Sequence, residues 1–573
     1  MIRAFVSLVL VASASPALAV QTIQASPTGP RLPITLGQIP CLGARNLNSL
    51  PGDANAEHVI NADGRYILTA GVPVSAGKSG IRLDPPASHV VIDLNGHTIF
   101  DDAAGASLNG IELDYHYTIL KIAANGGGTK NLGGSALDIS SAAGVIGNGI
   151  VMEGCGGTAI SAIDVEMLQL TKCVSSEGAG FVSYCGPSIT LVDCFDANSS
   201  GDGVVVVDTC ATFQGVPIQF KAAKHRSSGA GGDAISVTTT QSALKLSMDG
   251  GNLGSSGCDG VSISAGGGTT CEVKIDSSSI VGSGEDGVSV SGAGSGGRIS
   301  CVLRSSNLGS SGCDGVSIAP GGGECDFQIE SCAIIDSGED AVDVSGTGRV
   351  RGKLKVSNLG SSGCDGVSID LGGGGSGDVV LEECIIADST LNGVRVVMDG
   401  HNGGIIKLAS SHLAGNGSSG VSATGCSVAM SDSSVRSSTG RGIEVLTGVQ
   451  CRPHSVVLER VTVESCGSDG IWVESTAGGR LEKCAAIGNV GTGIHVGDVV
   501  TGVCATGMVI KKCHAASNVT GYNVLASGGH VVVGNAASLN TTDYSINLNG
   551  NVVGPIQTNQ AMLATPHPHA NLH

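Results

Sequence analysis

The chain has 573 residues, 91 of them glycine, with 2% aromatic and 14% charged residues, and its 49 carboxylates against 30 Lys and Arg give a formal charge of −19. That balance disfavours nucleic acid and anionic membrane as partners, because little positive charge is available to meet phosphate. A hydrophobic content of 41%, with 16 prolines and no Gly-X-Y period, excludes wholesale disorder and collagen.

The chain opens MIRAFVSLVLVASASPALA, which combines Arg3, an apolar run over residues 4–14 and Ala17-Leu18-Ala19. This is the pattern of a secretory signal peptide over residues 1–19, and it predicts a secreted, periplasmic or cell-surface protein. No later stretch reaches the ~18 apolar residues of a transmembrane helix. Residues 20–79 are expected to form an N-terminal cap or linker region, with a strand at Tyr66–Thr69.

From residue 80 the sequence repeats itself. NLGSSGCDGVSI stands at 252–263, 307–318 and 358–369, and SGEDGVSVSG (283–292) and SGEDAVDVSG (337–346) alternate with it. A wider phrase, a small residue followed by a β-branched or apolar residue at alternate positions, recurs from Gly80 to Gly521 at intervals of 21–31 residues. A period in that range marks a solenoid, whose units bury their apolar faces only by stacking. The apolar segments are three to six residues long and alternate at period two, as in VSISA, VSVSG and VRVVM, which is strand periodicity. Gly, Asn, Asp and Ser clusters separate them, as turns require. The pattern predicts an all-β solenoid of about 18 coils, each with three short strands, stacked ~4.8 Å apart.

HVVIDLNGHTI (89–99) followed by NGIEL (109–113), and recurring units such as 380–396 and 457–473, resemble the right-handed parallel β-helix proteins of the pectin-lyase-like superfamily. LPGDANAEHVINADGRYILTA near the start, DYSINL (543–548), VGPIQT and PHPHANL near the end resemble an exported bacterial subgroup. The resemblance implies a right-handed parallel β-helix over residues 80–554 with a C-terminal tail over 555–573. It does not select an activity, since the superfamily hosts lyases, hydrolases, epimerases and proteins without assigned chemistry.

Stacked coils predict columns of equivalent side chains. Aligning Leu253, Ile280, Leu308, Ile334, Leu359, Ile386 and Leu413 places Met248, Ile275, Leu303, Ile329, Leu354, Leu381 and Leu408 in an inward column. Beside it runs an outward one through Arg304, Glu330, Lys355 and Glu382, whose alternating signs suit cross-strand pairing. The basic stretch Arg349, Arg351, Lys353 and Lys355 is thereby read as a solvated strand face. The 20 cysteines include no CxxC. Cys155, Cys173, Cys194, Cys332, Cys384, Cys466, Cys484 and Cys513 are read as one inward column, and Cys271, Cys301 and Cys325 as a second. Mostly reduced, packed thiols with a few bridges are expected, with connectivity left open.

The candidate chemistry lies just ahead of the repeated small residue, where Asp259, Asp286, Asp314, Asp340 and Asp365 recur beside Cys258, Glu285, Cys313, Glu339 and Cys364. Aspartate before glycine is a turn former, and repeats copy turns. Stacked carboxylates also suit a bridging cation, with Ca2+ the fitting choice for an oxygen-rich row. Their spacing further matches the carboxylate pairs of glycosidases. Cys451-Arg452-Pro453-His454 superficially resembles the Arg-Pro signature of pectate lyases, but its second arginine is misplaced and no matching Asp-His motif occurs. The polygalacturonase set is also missing. Arg452, His454 and the single Trp472, read as an outward ring able to stack on a sugar, are the glycan-contact candidates. The resulting expectation is an exported extracellular scaffold, adhesion or glycan-interacting rod, with a polysaccharide or cell-surface component as partner. The alternative is a polysaccharide lyase or glycoside hydrolase.

Overall fold

A computed structural model describes residues 43–572 apart from 102–105, 115–117, 209–212, 214, 293, 399–402, 447–453, 475–477, 498–506, 526–528 and 558–570. The expected signal peptide and Arg452 lie outside the described residues. Among those described, one 3-10 turn at Leu47–Ser49 accompanies strands throughout.

The strands form three parallel sheets that the chain visits in turn. One coil illustrates the plan: Val261–Ala265 lies in the first sheet, Thr270–Asp276 in the second, Ser279–Val281 in the third, and Val288–Gly292 returns to the first, paired with Val261–Ala265. Each repeated small residue from Gly80 to Gly521 sits within one residue of the start of a first-sheet strand, and among the described residues this sheet holds 20 strands. The alternation of VSISA becomes a burial alternation, with Val261 and Ile263 inward and Ser262 and Ser264 outward.

The boundary expected at residue 80 moves upstream. Ala56–Ile60 pairs with Ser79–Leu83, Gly64–Ile67 with His89–Asp93, and Val72–Pro73 with Thr98–Phe100. The region expected as a cap is thus built of coils, because Ile60, Tyr66 and Val72 bury against the next one. At the other end Ile556–Gln557 and Asn571–Leu572 pair with each other, and Leu572 pairs with Ala536, so the tail adds strands to the third sheet.

The predicted columns hold in register. Leu253, Ile280, Leu308 and Ile334 pair in succession, as do Met248, Ile275, Leu303 and Ile329, all buried. Outside, Arg304 bridges Glu330 at 3.4 Å, Arg351 bridges Asp326 at 3.5 Å and Lys353 bridges Glu382 at 3.1 Å. Within the basic stretch Arg351 and Lys353 are thus charge-paired on the strand face.

The cysteine columns are rearranged. Cys173, Cys194, Cys332, Cys384, Cys484 and Cys513 occupy the corner between the second and third sheets, one residue past a left-handed turn residue such as Lys172 or Ser331. Cys155 and Cys466 occupy the corner after the third sheet. Cys271 and Cys325 both pair with Ile299, whereas Cys301 lies two residues on, between Val273 and Phe327, so these three do not stack directly. Among the described residues fifteen cysteines are free, and Cys185 is disulfide-bonded.

Candidate functional site

The aspartates ahead of the first sheet form a side-chain-to-backbone ladder. Each Oδ1 accepts the amide N–H of the equivalent residue in the next coil: Asp259 from Asp286 at 2.9 Å, Asp286 from Asp314 at 3.0 Å, Asp314 from Asp340 at 2.9 Å, and Asp340 from Asp365 at 2.6 Å. The ladder begins earlier than expected, with Asp202 accepting from Asp233 and Asp233 from Asp259. Both precede a repeated small residue, the signal that could have found them. Asn392 continues the ladder, accepting from Ser419 at 3.0 Å. From Asp202 to Asn392 the position thus uses a short side chain with a carbonyl-type oxygen, and the charge is not needed for the bond. That is the turn reading in its physical form, since a backbone donor is satisfied at each of these corners.

The charge is nevertheless present and costly. Burial raises Asp259 and Asp340 to about 6 and Asp314 to about 7, against the hydrogen bond each accepts; for Asp314 the carboxylates of Asp343, Asp286 and Asp340 add to the rise. Glu285 and Glu339 are exposed and lie two coils apart, separated by Cys313 through backbone bonds of 3.1 and 2.9 Å. Among the described residues no three His, Cys, Asp or Glu side chains converge in a group able to hold a metal ion. Ca2+ would meet a row of oxygens already committed to backbone amides.

The outward column of the first sheet next to this ladder runs in register through Ser262, Ser289, Ser317, Asp343 and Ser368, and later through Glu444, Trp472, His495 and Asn523. Trp472 is not the free ring that the sequence suggests. The Arg441 guanidinium covers one face at 3.9 Å from the ring centre, and the His495 ring stacks on it at 3.9 Å with an interplanar angle of 24°. Arg441 also pairs with Glu444, and its Nε lies 3.8 Å from Asp469. Asn523 Nδ2 donates to His495 Nδ1 at 3.4 Å. An amide nitrogen can only donate, so Nδ1 accepts and the proton of the neutral ring sits on Nε2. Burial, with a contribution from Arg441, holds the His495 pKa below the usual imidazole range despite the opposing pull of Asp469.

Three polar atoms of this cluster, Trp472 Nε1, His495 Nε2 and Asn523 Oδ1, are buried without a hydrogen-bond partner. Of the sequence candidates the structure brings only Trp472 here. Arg441, Glu444, Asp469, His495 and Asn523 were missed, since no local motif links residues in four different coils. His454 is buried and has partners of its own, in the strand approach before Val456–Glu459.

Residues 447–561 match the family described as right handed beta helix region. No curated protein sequence matches the chain. Among solved structures, the periplasmic alginate epimerase AlgG is 11% identical with a TM-score of 0.36, covering 60% of this chain and 77% of its own. The mannuronan C-5 epimerase AlgE4 A-module of Azotobacter vinelandii is 11% identical with a TM-score of 0.23, covering 81% and 91%. The catalytic domain of a GH87 α-1,3-glucanase is 9% identical with a TM-score of 0.25, covering 72% and 61%. No residue or activity is carried over from them. With its three parallel sheets wound coil on coil, the chain is a right-handed parallel β-helix protein.

Proposed function

We propose that the protein is an exported rod that binds a polysaccharide or other cell-surface glycan along the outer face of its first sheet, as an extracellular scaffold or adhesion element. One observation carries this reading. A single outward column of that sheet presents hydroxyls, carboxylates and the only tryptophan from coil to coil, with the aspartate ladder beside it. Such a strip offers evenly spaced hydrogen-bonding groups ~4.8 Å apart to a linear, hydroxyl-rich polymer. Binding is favoured over bond cleavage because Glu444 and Asp469 are both engaged by Arg441 in ion pairs.

The test is affinity electrophoresis of the full chain against a polysaccharide panel, with parallel assays for new reducing ends and for the ultraviolet absorbance of unsaturated products. Retardation without product is the expected result. Product formation would replace binding by hydrolysis or lyase chemistry, and no retardation by any glycan would remove the proposal.

A further inference from the structure

The corner between the second and third sheets carries one inward residue per coil, and strand register on both sides fixes which residues are neighbours. Thr171 pairs with Val192 and Val174 with Phe195, so Cys173 stands directly over Cys194. Glu482 pairs with Lys511 and Ala485 with His514, so Cys484 stands over Cys513 in the same way. Of the fifteen free cysteines among the described residues, only these four have another cysteine at the equivalent position of an adjoining coil. Cys332 lies between Ser306 and Ser357, and Cys384 between Ser357 and Ser411.

Equivalent α-carbons of adjoining parallel coils are ~4.8 Å apart, within the ~4.4–6.8 Å span of a disulfide. The side chains use that proximity. Within each pair one thiol donates to the sulfur of the other, and this contact is the largest influence on the acidity of all four. Cys513 Sγ reaches back to Leu481 O, 3.5 Å away in the coil that carries Cys484. All four residues are at most 2% exposed. One disulfide is already present, at Cys185.

We propose that Cys173–Cys194 and Cys484–Cys513 are two inter-coil disulfide sites, closed when the chain folds in an oxidising compartment. The proposal rests on the exported location read above and not on glycan binding. Closure is thiol–disulfide exchange with an external disulfide, either a protein disulfide or oxidised glutathione. One cysteine thiolate attacks it and releases one thiol. The second cysteine attacks the resulting mixed disulfide and releases the other. Two S–H bonds are lost, one S–S bond forms, and two electrons and two protons leave with the reagent as two thiols. Burial sets the timing: an oxidant meets these sulfurs before the coils close, and a reductant meets them after the coils open. Coils of a solenoid contact only their neighbours and open locally. Each bridge ties one coil to the next, across 21 residues from Cys173 to Cys194 and 29 from Cys484 to Cys513. The first lies beside a polar stretch of the interior, where Asp196 and His225 are buried with side-chain atoms unpartnered.

The experiment unfolds and reduces the full chain, refolds it in a glutathione redox buffer, blocks the remaining thiols with N-ethylmaleimide in denaturant and maps the peptides without reduction. Cys173 linked to Cys194 and Cys484 linked to Cys513 are expected, with Cys301, Cys332 and Cys384 alkylated. The bridged, folded chain should resist dithiothreitol until denaturant is added. It should also melt several degrees above the reduced form. That difference should vanish when all four cysteines are replaced (Cys173→Ser, Cys194→Ser, Cys484→Ser and Cys513→Ser), since the corner already accepts Ser306 and Ser357. Alkylation of all four after refolding, or bridges to other cysteines, would overturn the pairing. Reduction of the folded chain without denaturant would overturn the buried position of the bridges, and equal melting temperatures would overturn their role as ties between coils. Pairing in the glutathione buffer with none in chain expressed behind its own residues 1–19 would refute the exported location and leave the two sites standing.

Discussion

Asp314 Oδ1 accepts the amide N–H of Asp340, 2.9 Å away in the next coil. The same bond recurs along the rod, and in Asn392 it is made by an uncharged side chain. The ladder needs the oxygen and tolerates the charge. Asp314→Asn should therefore raise the melting temperature at pH 7.5, where the raised pKa of about 7 leaves the carboxyl largely ionised. It should bring little gain at pH 4.5, where the carboxyl is already protonated. Asp314→Ala should lower stability at both, by about 1 kcal/mol or more, because the Asp340 N–H loses its acceptor. Calorimetry of the two variants checks the pair, and an Asn variant no more stable than the parent at pH 7.5 would contradict it.

The pH dependence of stability follows from the same burial. Asp259, Asp314, Asp340 and the interior Asp196 are held at about 6 to 7 when folded, against about 3.9 unfolded. Between these values the folded chain keeps protons that the unfolded chain releases, so stability falls as pH climbs from about 4 to about 7. His225, wholly buried and held down to about 4, acts oppositely, losing stability as pH drops from about 6.5 to 4. The carboxylates outnumber it. The melting temperature is expected to be higher at pH 5 than at pH 7.5, and a flat or rising profile over that interval would count against the ladder's burial.

Calcium offers a separate check. With the Oδ1 atoms committed to amides and no converging group among the described residues, millimolar Ca2+ should leave the melting temperature unmoved. A rise of several degrees that chelator reverses, lost in Asp314→Asn, would assign the aspartate row to cation binding.

Two cysteines should respond differently to the same substitution. Cys332 shares its corner column with Ser306 and Ser357; its thiol donates to Glu330 O at 3.4 Å, where Ser306 and Ser357 donate to the carbonyls of Arg304 and Lys355. Cys332→Ser is expected to be near neutral. Cys301 lies between Val273 and Phe327 in the apolar interior, so Cys301→Ser buries a hydroxyl at a cost of about 1–3 kcal/mol. Equal melting temperatures for the two variants would refute the division of the columns.

Packing makes one glycine irreplaceable. Gly352 follows Phe327 in the inward column of the second sheet, and a Cβ there would stand 2.2 Å from the Phe327 ring. Gly352→Ala should cost about 1–3 kcal/mol, and Phe327→Leu should recover part of it. Absence of such coupling in a double-mutant cycle would show that the ring does not fill this space.

The sequence by itself determined the solenoid. Strand alternation and the recurrent small residue are local signals, so the period, the inward Leu253–Ile280 column and the outward Arg304–Glu330 pairing were legible without coordinates. Even the aspartate row was visible, because a repeat copies its corner. What only the tertiary structure decided is what each side chain does across the coil spacing. Trp472, His495 and Asn523 are 23 and 28 residues apart in succession, and coils of unequal length hide their alignment. Whether an Asp oxygen meets an amide or a cation, whether an indole face is open or covered by Arg441, and which cysteines share a corner depend on neighbours one turn away. Those neighbours are set by register and by side-chain packing between coils, which carry no signature along the chain.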